Sequence, residues 1–397
     1  MTRSSLIPDA YRGREQALVK HNLLSSYLEK LVLIIGMAGK KSGRVEIAYV
    51  DCFAGPWGDD SEALETTSIA KSLAILEKCR EELGARGANV AIRALFVEKN
   101  EKSYSRLSKY LAGRKSSRVP AESKKGDFVA LRSEIIDWCG KQAFVFFFVD
   151  PKGWMEVGAE TLKPLLERPR SELLINFQYD FINRAVSMEG MKLQIASLIG
   201  EEVDVAGLDS KEREGFLIDC YLKNLKLRMH GDERYPPRAA YVRVLSPDRD
   251  RLKYHLVYLT AHPRGIVEFM EKSESVGFTQ QLIKATKREE AREVETGTQD
   301  MFGAESLISV GDNRVIPDIV DNFWINYLKE GPKTVGVHEF ADVLETTNWY
   351  PGELQSSLVR LISAGRVENL DAKGKRPKKP LHWDSEERLQ LVDGAGN

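Results

Sequence analysis

At 397 residues the chain is long for one compact core and suits two, a catalytic-sized domain and a smaller module. Apolar residues make up 42% and charged residues 29%, with a formal net charge of −1; this soluble, globular profile excludes a disordered chain and a molecule basic all over. The four scattered cysteines, Cys52, Cys79, Cys139 and Cys220, have no spacing that suits zinc or an iron–sulfur cluster, so no metal is expected. The N-terminus lacks an apolar signal core and no apolar run reaches membrane-spanning length, which predicts a cytoplasmic protein with free thiols and no membrane contact.

The first element is an amphipathic helix over 16–36, with Leu23, Leu24, Tyr27, Leu28, Leu31, Val32 and Ile35 at three- and four-residue spacing and Lys20 and Glu29 elsewhere on the wheel. VEIAYVD (45–51) follows as a strand, then the loop CFAGPWG and a helix over about 67–84, the opening of a βαβ unit. Alternation continues with a strand at 91–98, a helix at 100–112, a strand at 143–150, a helix at 159–167 and a strand at 171–177. The continuous apolar run FVFFFV is what a strand buried on both faces requires. A doubly wound parallel sheet follows. After a helical region at about 183–230, the segments 238–246 and 252–260 flank the turn PDRD with no room for a helix, so they form an antiparallel hairpin. A parallel sheet that ends in a hairpin is the Rossmann-like arrangement of class I methyltransferases.

These elements predict a first domain over 1–272, with a charge-dense linker or surface helix over 273–309. A last domain over 310–397 has helices at 317–329, 338–346 and 351–364, then a basic two-stranded tail, the pattern of a winged helix.

Strand ends carry the candidate chemistry. In Asp51-x-x-x-Gly55-x-x-Gly58 the glycines suit a loop under a nucleoside, although a glycine pair alone fits an ordinary tight turn as well. Glu98, at the second strand's end, can accept both hydroxyls of a ribose; its distance from Asp51 disfavours a simple NAD unit. Gly126-Asp127 lies where a third strand would end, but RVPAESKK is a poor strand. Asp150, followed by Pro151-Lys152-Gly153-Trp154, is either a carboxylate at the ligand-binding rim with an aromatic plane beside it or a helix cap with a packing tryptophan. Asn176, Gln178, Tyr179 and Arg184 are further candidates for a substrate mouth. In the tail, Lys373, Lys375, Arg376, Lys378 and Lys379 suit a phosphate backbone or a solvated loop, and Gln355, Ser356 and Arg360 form the polar face of the preceding helix.

The segments YVDCFAGPWG, FVEKN, FVDPKGW, ELLINFQYDFINR and KYHLVYLTAHPRG together resemble the three-Cys-motif partner family of bacterial proteins. The resemblance runs from the helix bearing Lys20 and Tyr27 through Gly265. It implies a methyltransferase-like fold that binds S-adenosylmethionine (SAM), and a partner whose three-cysteine motif resembles radical-SAM iron–sulfur enzymes. With that cofactor, the strand ends make Asp51, Phe53, Gly55, Gly58, Glu98 and Asp127 the expected cofactor residues and put Asp150, Trp154 and Asn176 at the acceptor. Asp-Pro-Lys-Gly-Trp departs from the Asp-Pro-Pro-Tyr of adenine amino-methyltransferases, and no Pro-Cys pair offers a nucleophile for cytosine C5. The function expected is methyl transfer to nucleic acid; the alternatives are a SAM-binding accessory subunit that recruits the partner, and a methyltransferase of proteins or small molecules.

Overall fold

The computed structural model describes residues 7–8, 11–41, 43–55, 67–114, 118–246, 251–296, 315–374 and 376–392, with backbone alone from 289 to 296. The chain divides into two compact units, 1–261 and 262–397. None of the described helices is long and apolar enough to cross a membrane.

The N-terminal unit runs α1 (Glu15–Met37), β1 (Val45–Asp51), α2 (Ser68–Ala85), β2 (Val90–Glu98), α3 (Glu101–Gly113), β3 (Ala121–Lys125), α4 (Phe128–Cys139), β4 (Phe144–Val149), α5 (Ala159–Leu166) and β5 (Ser171–Phe177). Then come α6 (Tyr179–Ala185), α7 (Lys192–Ile199), α8 (Ser210–Arg228) and the hairpin β6 (Arg238–Leu245) and β7 (Leu252–Thr260). The strands form one sheet in the order β3-β2-β1-β4-β5-β7-β6. Strands β1 to β5 pair in parallel, and β7 enters antiparallel to both of its neighbours. This is the sheet of a Rossmann-like class I methyltransferase, and the terminal hairpin produces its reversed strand.

The centre of the sheet is where the most apolar segments lie. Every residue of β4 and β5 is buried, because both faces are covered. On one face α1 and α2 pack together, with Tyr27 of α1 against Phe146 and Tyr258. On the other, Val145, Phe147, Leu173, Ile175 and Phe177 share a core with Leu162, Leu165, Leu217, Ile218 and Tyr221 of α5 and α8. Glu172 is the charged residue inside SELLINF: it is buried against α1, where its carboxyl accepts from Tyr27 (3.0 Å) and Thr260 (2.8 Å). Burial pushes its carboxyl up, against the pull of the hydroxyls of Tyr258, Thr260 and Tyr27.

The segment AESKK, a poor strand by composition, is β3. It is the edge of the sheet and pairs with β2 alone, so backbone hydrogen bonds hold it without an apolar side.

The C-terminal unit begins with α9 (Pro263–Thr296), which has Pro263 at its first position and continues through the expected boundary at 272. It packs on the later helices α11 and α12 of the same unit. Residues 297–309 of the expected linker lie outside the described residues. The unit continues with α10 (Pro317–Leu328), β8 (Lys333–Val335), α11 (Val337–Thr347), α12 (Pro351–Ser363), β9 (Val367–Asn369) and β10 (Glu387–Leu391). The three predicted helices are present, and the basic tail forms the two-stranded pairing of β9 with β10; the short β8 completes a three-stranded antiparallel sheet in the order β8-β10-β9. Trp324, fully buried, anchors α10 by donating its indole N–H to the Leu354 carbonyl at 3.2 Å.

Candidate functional site at the carboxyl rim of the sheet

Parallel pairing puts the ends of β1 to β5 on one edge of the sheet, where open α/β folds bind their ligands. Asp51 closes β1 and lies level with Phe96 of β2 and Phe148 of β4. Glu98 closes β2, and Asp150 follows β4 directly, beside Asn176 of β5. The structure thus brings Asp51, Glu98, Asp150 and Asn176 to one rim.

The β1 end and the β2 end meet through a glycine. A Cβ built on Gly55 would lie 1.7 Å from Glu98 Oε2, so the glycine is there because the carboxylate occupies the space a side chain would need. Glu98 is buried, and its Oε1 accepts from the Asn100 N–H at 2.6 Å. That bond leaves Oε2 as the oxygen directed toward the β1 loop. Asp51 is also buried; Oδ1 accepts from the Phe53 N–H at 3.0 Å, while Oδ2 has no partner among the described residues. Burial pushes its carboxyl up to about 7, against the pull of that N–H, and the negative charge of Asp150 adds to the rise while Lys20 opposes it. Phe53 packs on Phe128 at 5.0 Å between ring centroids. Gly58 lies outside the described residues. Cys52 is in the core, and burial holds its thiol well above its ordinary value.

Asp127 caps α4, accepting from the Val129 N–H at 2.9 Å, and its other oxygen is 3.7 Å from Lys99 Nζ. It is exposed, unlike Asp51 and Glu98. Trp154 is half-buried and packs against the core below the rim.

Asp150 is held from two sides. Lys20, from α1, forms an ion pair with Oδ2, and the Asn176 side-chain amide donates to Oδ1 at 2.6 Å. Because Asn176 must present its NH₂ to the carboxylate, its own oxygen is fixed pointing away; that buried Oδ1 has no partner among the described residues. Gln178 donates to the Pro151 carbonyl at 2.9 Å and so ties the Asp-Pro turn to the end of β5. Arg184 pairs with Asp180 and lies over the Phe181 ring at 4.9 Å.

No family profile and no curated protein matches the chain. Among solved structures it is similar to a DUF574 family protein from Streptomyces avermitilis, at 11% identity over 63% of this chain and 87% of that one, with a TM-score of 0.31. It is also similar to an O-methyltransferase from Bacillus cereus in complex with SAH, at 12% identity, 64% and 92% coverage and a TM-score of 0.32. A third similarity is to PKMT2 from Rickettsia typhi, at 9% identity, 62% and 56% coverage and a TM-score of 0.29.

Of the basic candidates in the C-terminal unit, Lys373, Lys378 and Lys379 are exposed, Lys379 lying 3.6 Å from Glu271. Arg376 is instead ion-paired with the buried Glu387, and Arg360 with Asp321 at 2.6 Å. Lys375 lies outside the described residues. Gln355, expected on the polar face of its helix, is buried: its amide donates to the Leu381 carbonyl at 2.8 Å and accepts from the Leu381 N–H at 3.2 Å, fastening the chain before β10 to α12.

In the sequence pattern Lys20 lies off the apolar stripe of α1. Its ammonium is nonetheless half-buried at Asp150, and it precedes the buried Leu23, Leu24 and Tyr27 by three, four and seven residues. A cation at that spacing was the signal available. Tyr11, His21 and Lys71, which lie beside it, carried none.

Proposed function

We propose that the protein is a SAM-dependent methyltransferase. The observation that carries this reading is Glu98 set against Gly55, with Asp51 and Asp150 on the same rim of a sheet with class I methyltransferase strand order. The cofactor fits the residues present. On this reading Glu98 Oε2 accepts from the ribose hydroxyls, Asp127 from an adenine amine, and Asp51 Oδ2, which has no partner among the described residues, from the ammonium of the methionine part. Bound SAM supplies an electrophilic methyl on a sulfonium.

The chain's own contribution at the acceptor is orientation. Both oxygens of Asp150 are engaged, by Lys20 and Asn176, so its carboxylate is fixed in place. Asn176 Oδ1 is the acceptor left over, and Trp154 offers an apolar surface beside the Asp-Pro turn.

The acceptor we propose is nucleic acid. What supports this is the order helix, strand, helix, helix, strand, strand after α9, which is that of a winged helix, with three exposed lysines between its last two strands. Neutralising Lys373, Lys378 and Lys379 together is expected to weaken binding to duplex DNA and flatten its salt dependence by about 0.9 for each phosphate no longer neutralised. A salt slope unchanged in the triple variant would contradict a role for these lysines.

A second reading is favoured by the same engagement of Asp150: a SAM-binding accessory subunit for an iron–sulfur partner. Transfer of tritiated methyl from SAM to DNA, RNA or protein by the full chain separates the two. Label on nucleic acid supports the first reading. Label on protein alone moves the acceptor, and cofactor binding with no label until the partner is added supports the second.

A further inference from the structure

A group of cations crosses the rim on the α1 side, between the first turn of α2 and the end of β4. Lys71 of α2 donates to the Tyr11 hydroxyl, and its ammonium is 4.6 Å from the centre of the same ring. The hydroxyl in turn lies 2.9 Å from His21 Nδ1. Next along α1 is Lys20, paired with Asp150. Among the described residues, no carboxylate is within ion-pair distance of Lys71; its polar partner is a phenol.

The local charge is positive in excess. His21 is held neutral down to about 3, first by burial and then by Lys20 and Lys71, with Arg14 acting in the same sense and Asp150 alone opposing. A neutral imidazole bonded to a phenol needs no second cation beside it for stability. An ammonium with only a phenol and a ring face to satisfy it is short of the anionic partner a half-buried lysine ordinarily has.

Position says what the anion is. Glu98 and Gly55 mark the β2 side of the rim as the ribose end, and Asp150, with Lys20 on it, is across β1 on the β4 side. A nucleoside bound with its ribose at Glu98 therefore directs its other end toward Asp51, Lys20 and Lys71. The end of SAM remote from the ribose carries one ammonium and one carboxylate. Asp51 Oδ2 answers the first. We propose that Lys71, with Lys20 beside it, is the seat of the second, the methionine carboxylate. The proposal rests on the cofactor reading above and assigns it a residue that neither the sequence motifs nor the rim carboxylates contain.

The test compares two ligands on the full chain by calorimetry: S-adenosylhomocysteine, which has the carboxylate, and methylthioadenosine, which has the nucleoside and sulfur without the amino-acid part. Lys71→Met is expected to weaken S-adenosylhomocysteine about tenfold or more, through removal of one charge-assisted hydrogen bond, and to leave methylthioadenosine unchanged. Lys71→Arg is expected to restore most of the difference. Equal losses for both ligands, or none for either, would overturn the proposal while leaving the cofactor reading in place. If the wild-type chain binds neither ligand, both fall together.

Discussion

Asp51→Asn is expected to stabilise the folded chain at pH 8 by a few kcal/mol and to leave it nearly unchanged at pH 4. Asp51 is 1% exposed, and burial raises its carboxyl from 3.8 to about 7. The folded chain therefore keeps a proton that the unfolded chain has already released between those two values. Since the folded state binds more protons there, stability falls as pH rises from about 4 to about 7 and is level above it. At about 1.4 kcal/mol per pH unit the full penalty is on the order of 4 kcal/mol. An asparagine keeps the oxygen that accepts from Phe53 N–H and cannot ionise, so it escapes the penalty. Denaturant unfolding of both proteins across this range measures it. Parallel profiles for the two would show that Asp51 is not the titrating group.

Gly55→Ala is expected to separate cofactor affinity from stability. The new Cβ falls 1.7 Å from Glu98 Oε2 and 2.8 Å from Cδ, closer than van der Waals radii allow. The escape that costs least is rotation of the carboxyl, which spares the strand but breaks the 2.6 Å bond from Asn100 and takes Oε2 away from the ribose position. Losing charge-assisted bonds worth about 1.5–3 kcal/mol each should weaken S-adenosylhomocysteine by about ten- to a hundredfold or more, with unfolding shifted by no more than the one Asn100 bond, about 3 kcal/mol. A variant that unfolds instead would place the glycine's importance in the fold, and one that binds as the wild type does would remove Glu98 from the cofactor.

Much of this architecture was legible because its strands are buried on both faces. VEIAYVD and FVFFFV leave no alternative to a central parallel strand, and a turn too short for a helix forces the final hairpin. Strand ends then gave Asp51, Glu98 and Asp150 without further information. AESKK was not legible, since an edge strand satisfied by one neighbour needs no apolar pattern, and Lys333–Val335 is too short to show one. The partners of charges were hidden for a different reason. Arg376 with Glu387, Arg360 with Asp321 and Lys20 with Asp150 are pairings between elements distant in sequence, so a run such as KGKRPKK counts charges without showing which are already neutralised. The same applies to Gln355, whose amide matches the backbone of Leu381, a residue its own helix does not contain.

The most direct test of the cofactor assignment is a calorimetric titration of the full chain with S-adenosylhomocysteine, wild type against Glu98→Ala. Glu98 is the rim carboxylate whose second oxygen is held open by a glycine, and its removal spares the Asp51 and Asp150 ends of the rim. The wild type is expected to bind at one site per chain, and the variant about tenfold or more weaker with little change in unfolding. No binding by the wild type, or the same affinity in both, would contradict the assignment.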